Sequence, residues 1–374
     1  MQQYKENFTA ILPVTCNANC GFCPEKEMEE KAGKEEWIES LVDNLRKTRT
    51  MGYDHVSLSG GEPTLDPRLL GDTIQAIIKR THINRIGITT NGQFLESSSK
   101  LSNFFNATVH GGAFIPYFIN ISRHAFDSAE NNEIMGVQYK HTLADILYFR
   151  KLLPLSVSFR LNMVLTDKSD VGRLFREAYA LQDILRENFV QIAFRTDYSL
   201  IVDKEDGLVP QRLRDAFADV FGELETTYSC PTCVTYQSKT IPGIFLKGAN
   251  FEPTDKEELQ REFIQHQDGK LYHDWQRNKP VTTEELLGTD PSVLLGQRTL
   301  SDVDLMMNGG ILSRRIMQVS ATDIVTRAGA VVNSYPPHGS CSGYNVHGGC
   351  GSVTTKTTGC GGGSCGGGSG GCGG

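Results

Sequence analysis

The chain has 374 residues, enough for one large domain with smaller additions. Its hydrophobic content of 39% supports a substantial core, and its net charge of −7, from 37 basic and 44 acidic residues, argues against a nucleic-acid partner. No stretch approaches the apolar length of a membrane span, and no signal peptide is evident at the start. We therefore expect a cytoplasmic protein with no membrane partner.

Apolar runs alternate with segments of helical periodicity through about the first 205 residues. The predicted strands are residues 8–14, 55–58, 85–90, 114–122, 156–165 and 189–194. The predicted helices are residues 35–51, 66–79, 95–105, 141–153 and 171–186. Strands that alternate with helices imply a parallel sheet with right-handed crossovers, so the pattern predicts an α/β fold. In parallel barrels, chemistry gathers at the carboxyl ends of the strands.

Three cysteines occupy one short loop after the first predicted strand, where residues 16–23 read CNANCGFC. Three thiolates in one loop can converge on one face of an iron–sulfur cluster. A 4Fe-4S cluster normally takes four thiolates, so three leave one iron open to a substrate or cofactor. Zinc is the competing metal, but zinc sites of this size usually recruit a second Cys or His pair, and none follows just downstream.

A second motif follows the second predicted strand, where residues 59–63 read SGGEP. Together with the cysteine spacing and with Phe22 before the third cysteine, it resembles the radical S-adenosylmethionine (radical SAM) enzymes, in particular their peptide-modifying maturases. The resemblance covers roughly the first 200 residues. It implies a partial (β/α)6 TIM-type barrel with SAM bound to the open iron of a 4Fe-4S cluster. The implied cluster ligands are Cys16, Cys20 and Cys23.

The resemblance also implies contacts with SAM. The backbone of Gly60 and Gly61 would meet the ammonium group of SAM, although these glycines would also suit a simple strand-to-loop turn. Glu62 could accept from the same cation or fix the loop. Ser122 stands where the family often places a polar residue on the ribose or the carboxylate of SAM.

Four further polar residues follow predicted strands or interrupt them. Asn91 ends the third strand, where with Gly92 it would equally be a common turn. Arg123 could pair with the SAM carboxylate in a bidentate fork or be a solvated loop cation. Asn162 could line the barrel lumen and bond the ribose, or be a satisfied core amide. His124 is interpreted as a structural histidine.

The implied activity is reductive cleavage of SAM to a 5′-deoxyadenosyl radical, which takes a hydrogen atom from a substrate. An electron donor such as flavodoxin or ferredoxin is then the expected partner. The cofactor supplies the difficult chemistry, and the protein orients it and excludes water.

Beyond residues 1–205, which form the predicted core barrel, residues 206–280 are expected to form a small α+β extension. It contains a predicted helix at 211–228, a strand at 243–251 and a hairpin at 263–275. Cys230 and Cys233 within it could be half of a zinc site, a redox pair or ligands of an auxiliary cluster.

Residues 281–335 are predicted to be a helical or linker segment that could act as a leader. Residues 336–374 are predicted to be a disordered Gly/Ser/Cys-rich tail, since such a segment cannot bury enough apolar surface to fold alone. The tail contains five cysteines: Cys341, Cys350, Cys360, Cys365 and Cys372. It resembles the core peptide of a ribosomally made, post-translationally modified peptide (RiPP). The favoured hypothesis is radical modification of a peptide substrate, which could be the chain's own tail.

Two alternatives remain open. The first is a radical SAM reaction on a small molecule such as a nucleotide, which would need a basic cluster in the lumen, and the sequence offers only scattered Arg123, Arg160 and Arg195. The second is a metal-binding or thiol-binding role for the tail, with the barrel cysteines incidental.

Overall fold

A computed structural model describes residues 7–23, 31–197, 208–230, 233–249 and 262–282 except 274, 276 and 278. In chain order the strands are β1 (Asn7–Leu12), β2 (His55–Gly60), β3 (Arg85–Thr90), β4 (Val109–His110), β5 (Ala113–Phe114), β6 (Pro116–Ser122), β7 (Ser158–Leu165), β8 (Val190–Thr196), β9 (Leu224–Cys230), β10 (Cys233–Ser238), β11 (Ile244–Ala249), β12 (Glu262–Gln265) and β13 (Leu271–Tyr272). The α-helices are α1 (Lys34–Lys47), α2 (Pro67–Arg80), α3 (Ser98–Thr108), α4 (Ser128–Met135), α5 (Leu143–Leu152), α6 (Val171–Glu187) and α7 (Gln211–Phe221).

Six strands, β1, β2, β3, β6, β7 and β8, lie side by side in that order and pair in parallel. They are the six strands that the sequence predicts, with ends that differ by a few residues. The chain therefore has the predicted α/β fold, a partial TIM-type barrel. Because all six strands run in one direction, their carboxyl ends and the loops that follow share one edge.

The long helices pack apolar faces against this sheet. In α1, four residues at helical spacing are buried: Trp37, Leu41, Val42 and Leu45. Helix α2 begins where the Asp66 carboxylate accepts a hydrogen bond from the Leu69 N–H and Pro67 takes the first helical position. We call the opposite side of the sheet, which is turned away from the helical core, its inner face.

Two local predictions need correction. The helix predicted at 211–228 is too long, because α7 ends at Phe221, and Gly222, with φ of 80°, turns the chain into β9. Helix α4 was not predicted, because its sequence SAENNEIM is too polar and too short for a clear apolar period. It forms between an Asp127 cap and Gly136 in the left-handed region.

The strands after α7 extend the barrel sheet at both of its edges. Strand β11 pairs in parallel with β8, and β12 pairs in parallel with β1. Strand β12 is also tied to α1, because the Trp37 indole N–H donates to the His266 carbonyl at 2.8 Å and the Gln265 amide donates to the Trp37 carbonyl at 3.1 Å. The division of the chain at residue 205 stays a prediction.

The predicted linker and tail lie outside the described residues, apart from 281 and 282. Within the part of the chain that the structure describes, no helix combines the length and the apolar character needed to cross a membrane.

We expect Trp37→Phe to lower the free energy of unfolding by about 2–4 kcal/mol, because the buried His266 carbonyl loses its donor and the smaller ring leaves a gap. Denaturant unfolding measures the change. Tyr179→Phe, at a ring that is 46% exposed, is the control and should change stability by less than about 0.5 kcal/mol. Equal stability of Trp37→Phe and the unsubstituted chain would contradict the docking of β12 on α1.

Candidate functional site

The end of β2 lies directly against the start of the cysteine loop. A Cβ atom on Gly61 would come within 2.4 Å of the Thr15 carbonyl oxygen, and one on Gly60, whose φ is 136°, within 2.8 Å of the Leu12 nitrogen. The Glu62 N–H donates to the same Thr15 carbonyl at 3.0 Å. Only glycine permits this approach of two backbones. This packing is enough to account for a glycine at both positions. Contact of Gly60 and Gly61 with SAM stays a prediction.

Glu62 ties the ends of β2 and β3 together. Its side chain is 1% exposed. Oε1 accepts from the Thr64 N–H at 3.0 Å, the Thr64 hydroxyl at 2.7 Å and the Thr90 hydroxyl at 2.6 Å, and Oε2 accepts from the Asn91 N–H at 2.5 Å. Burial raises the pKa of Glu62, and these four donors oppose that rise. Of the two sequence interpretations, the contacts support the one in which Glu62 fixes the loop.

Asn91 carries this connection on to the cysteine loop. Its side-chain amide donates to the Asn17 side-chain oxygen at 2.9 Å and lies 3.9 Å from the Cys16 sulfur. The Asn17 amide in turn donates to the Tyr139 hydroxyl at 2.7 Å. Asn91 thus contacts the cysteine loop rather than serving only as a turn residue.

The segment between α4 and α5 supports the other side of the cysteine loop. The Asn19 N–H donates to the Met135 carbonyl at 2.7 Å, and the Asn132 amide holds the Tyr139 carbonyl at 2.8 Å. A Cβ atom on Gly136 would lie 3.1 Å from the Asn19 Cβ. The loop that carries the three cysteines is therefore held from two directions.

In the part of the chain that the structure describes, Cys16, Cys20 and Cys23 carry no disulfide bond; Cys16 is exposed, and Cys20 and Cys23 are partly buried. The Cys16 sulfur accepts from the Ala18 N–H at 3.4 Å. Burial raises the pKa of Cys16, and the charges of Glu62 and Cys23 add to the rise. In the described residues no group of three or more His, Cys, Asp or Glu side chains is arranged to hold a metal ion. The thiols thus fit an iron–sulfur cluster by donor type and by their shared loop, rather than by preset ligand distances.

Phe22 packs against His124. Their rings meet edge to face with centroids 4.7 Å apart. The His124 Nδ1 accepts from the Val164 backbone N–H at 3.0 Å, and the His124 backbone N–H donates to the Asn131 side-chain oxygen at 2.8 Å. Burial lowers the pKa of His124 to about 3, so the ring is neutral near pH 7. His124 is the structural residue that the sequence predicts.

Arg123 faces its own loop. The side chain is 1% exposed, and its guanidinium donates to the Phe126 carbonyl at 2.8 Å and the Ser128 hydroxyl at 3.1 Å. Burial lowers the pKa of Arg123 to about 10. The guanidinium is therefore not a solvated loop cation. A bidentate ion pair between Arg123 and the SAM carboxylate stays a prediction. Ser122 and Asn162 are register partners on β6 and β7, so they lie side by side near the carboxyl edge of the sheet.

The inner face of the sheet carries polar residues on β7, β8 and β11. On these strands every second residue packs in the helical core, such as Leu161, Phe194 and Leu246. The residues between them therefore belong to the inner face. They include Arg160, Asn162, Arg195 and Lys247. Asn162 thus lies where the lumen interpretation places it, and its contact with a ribose stays a prediction.

Cys230 and Cys233 end β9 and begin β10, and the two strands pair so that these residues stand opposite each other. This register brings the two backbones together across a hairpin. A second metal site at this pair stays a prediction.

Sequence reasoning missed Asn17 and Tyr139, whose hydrogen bonds support the cysteine loop. Asn17 lies inside the cysteine motif, where its position between two predicted ligands was the available signal. Tyr139 lies in a polar stretch that follows no strand, and no pattern in the sequence indicates it.

We expect Glu62→Gln to lower the free energy of unfolding by about 1–3 kcal/mol. A glutamine has one acceptor oxygen, and its second terminal atom is an NH2 donor. That NH2 group would face either the Asn91 N–H or the three donors that now meet Oε1 of Glu62, so hydrogen bonds would be lost. Thermal and denaturant unfolding measure the loss. Glu133→Gln changes an exposed carboxylate and is the matched control. Wild-type stability of Glu62→Gln would show that the buried carboxylate does not tie β2 to β3.

Comparison with known proteins gives a family for part of the chain. The model of the Radical SAM superfamily matches residues 11–152. The GTP 3′,8-cyclase of Nostoc punctiforme is 30% identical over 127 residues, which are 33% of this chain and 36% of the relative. A probable GTP 3′,8-cyclase of Archaeoglobus fulgidus is 31% identical over 90 residues, 24% of this chain and 29% of the relative. The chain spans about a third of the length of the curated relatives that it matches.

Solved structures resemble the chain more distantly. Streptococcus suis SuiB bound to S-adenosylmethionine has a TM-score of 0.49 at 17% identity, covering 79% of this chain and 67% of SuiB. Native anSMEcpe with bound AdoMet and a Cp18Cys peptide has a TM-score of 0.43 at 14% identity, covering 87% of this chain and 98% of that chain. Because both scores are below 0.5, the fold assignment rests on the strand order and register.

The matched residues contain both motifs of the site. The cysteine loop and SGGEP lie within 11–152, and they are in contact at the carboxyl edge of a parallel barrel. The superfamily uses a 4Fe-4S cluster and SAM. Residues 11–152, which carry both motifs, therefore match the Radical SAM superfamily.

Proposed function

We propose that the chain is an enzyme that cleaves SAM reductively and uses the resulting 5′-deoxyadenosyl radical to take a hydrogen atom from a substrate. The observation that carries this proposal is the three-cysteine loop held against SGGEP through Thr15 and Glu62. An electron donor such as flavodoxin or ferredoxin is the proposed partner.

The chain's own residues would bind and orient the cofactors. Cys16, Cys20 and Cys23 would hold the 4Fe-4S cluster, which with SAM supplies the electron transfer and the radical. Asn91 and Tyr139 fix the path of the loop through Asn17. A fixed loop limits the orientations available to the bound cofactor, and such positioning is a large part of what a protein adds to cofactor chemistry.

Neutral His124 supports the same arrangement. It adds no positive charge beside Phe22, and it uses Nδ1 to hold the backbone of β7 at Val164. Its role is to orient the aromatic ring next to Cys23 rather than to move a proton.

The substrate that we propose is a peptide, with residues 336–374 of the chain itself as the first candidate. Five cysteines among glycine, serine and threonine support this candidate, because thioether formation needs a thiol beside an accessible carbon. Each bridge removes a hydrogen atom, a proton and an electron from the peptide. An electron acceptor besides SAM is therefore needed, and a metal site at Cys230 and Cys233 is a candidate.

A small-molecule substrate is the second candidate. Two observations favour it: the curated relatives are GTP 3′,8-cyclases, and Arg160, Arg195 and Lys247 share the inner face of the sheet. Arg123 does not join them, since it contacts its own loop.

Replacing the loop cysteines should abolish cluster binding at the main site. We expect the triple variant Cys16→Ala, Cys20→Ala, Cys23→Ala, reconstituted with iron and sulfide, to form no 5′-deoxyadenosine, because no thiolates remain to hold the cluster. Product is measured by chromatography, and bound iron by elemental analysis.

The double variant Cys230→Ala, Cys233→Ala is the matched control and should still cleave SAM. Residual iron in the triple variant that disappears when the pair is also replaced would indicate a second site. SAM cleavage by the triple variant at the unsubstituted rate would refute the assignment of the cluster ligands.

Modification of the tail should change its mass. We expect the reconstituted, reduced protein with SAM to lose about two hydrogens for each thioether bridge in a proteolytic fragment from 336–374. Tandem mass spectrometry locates the bridged cysteine. A Cys360→Ala variant should lose at most the bridge at that position. Formation of 5′-deoxyadenosine with an unchanged tail would rule out the tail as substrate and leave the radical chemistry in place.

A further inference from the structure

Three cations lie on the inner face of neighbouring strands. Arg160 belongs to β7, Arg195 to β8 and Lys247 to β11, and the residue before each of them along its strand is in the hydrophobic core: Phe159, Phe194 and Leu246. Arg195 and Lys247 are direct register partners. Paired residues in adjacent strands present their side chains on the same face, so these two cations are neighbours near the carboxyl edge.

Arg160 and Lys247 contact the same aromatic ring, that of Phe245. The guanidinium carbon of Arg160 lies 5.2 Å from the ring centroid of Phe245, and Lys247 Nζ lies 5.8 Å from the same centroid. The second contact of Arg160 is its donation to the Gln191 side-chain oxygen at 3.0 Å. Both partners of Arg160 are uncharged. They hold the guanidinium in place without neutralising it.

The two arginines have no carboxylate partner among the described residues. The Nε of Arg160 is buried and has no hydrogen-bond partner. Burial lowers the pKa of Arg160, and the charge of Arg195 lowers it further, so the two cations repel each other. Two partly buried guanidinium groups that repel each other destabilise a fold unless something compensates their charge, and an anion would compensate it.

We propose that Arg160, Arg195 and Lys247 bind an oxyanion group, a phosphate or a carboxylate, of the substrate. The planar guanidinium presents paired N–H donors that match two oxygens of either group, and the lysine ammonium adds a point charge. Arg195 and Lys247 lie near the carboxyl edge that also carries the cysteine loop. An anion bound there would hold the substrate on the inner face of the barrel sheet, on the side where SAM is proposed to bind.

This site fits a small anionic molecule better than the chain's own tail. Residues 336–374 contain no Asp and no Glu, so the tail brings no side-chain carboxylate to the cations. That the anion belongs to a substrate rests on the proposed function, whereas anion binding by these residues does not.

The test is calorimetric titration of the full chain with inorganic pyrophosphate and, separately, with glutarate, at constant ionic strength. We expect saturable binding of one probe, weakened about tenfold or more by Arg160→Gln and by Arg195→Gln. Tighter pyrophosphate binding identifies a phosphate group, and tighter glutarate binding a carboxylate. Arg212→Gln, at an exposed position on α7, is the matched control and should bind as the unsubstituted chain does.

Thermal unfolding without added anion separates binding from a structural role. Because Arg195→Gln removes a repelling charge, its Tm should equal or exceed that of the unsubstituted chain. A lower Tm, the absence of saturable binding of both probes, or unchanged binding in both variants would overturn the proposal. Retained anion binding in a protein that forms no 5′-deoxyadenosine would instead refute the proposed function alone.

Discussion

The site depends on the close contact between the end of β2 and the first residues of the cysteine loop. Gly61 lies so near the Thr15 carbonyl that no side chain fits between them, and the next N–H, from Glu62, bonds the same oxygen. The Glu62 carboxylate then reaches β3 through Thr90 and Asn91. Because buried carboxylates are stable only with their hydrogen bonds made, this group fixes the relative position of three strand ends.

A second support reaches the cysteine loop from the segment between α4 and α5. The bond from Asn19 to the Met135 carbonyl and the bond from Asn17 to the Tyr139 hydroxyl hold the loop backbone and one of its side chains. The thiols themselves are exposed or partly buried. The protein thus fixes the path of the loop and keeps its metal-binding atoms accessible, which is the arrangement expected of a loop that receives a cluster and a cofactor.

The inner face of the barrel adds a different chemistry. Besides the neutral polar residues Ser122 and Asn162, this face carries Arg160 and Lys247 at the Phe245 ring and Arg195 beside Lys247. Apolar residues on the other side of the same strands build the core. Period-two alternation along a strand therefore places the core on one face of the sheet and these polar residues on the other.

The sequence by itself determined the six barrel strands and most of the helices around them, because apolar periodicity reports burial directly. It also placed the cysteine loop and SGGEP at one edge, because parallel strands share their carboxyl ends. The sequence pattern did not predict α4 or the end of α7. Capping sets the bounds of α4, and the left-handed Gly222 ends α7.

Only the tertiary structure decided which distant residues meet. Tyr139 bonds Asn17, 122 positions earlier in the chain. Lys247 lies beside Arg195 because β11 pairs with β8, although α7, β9 and β10 separate the two strands in sequence. Three arginines that look alike in the sequence separate into one buried in its own loop, Arg123, and two on the inner face, Arg160 and Arg195. Strand register and side-chain direction set these outcomes, and both depend on contacts between segments far apart in the chain.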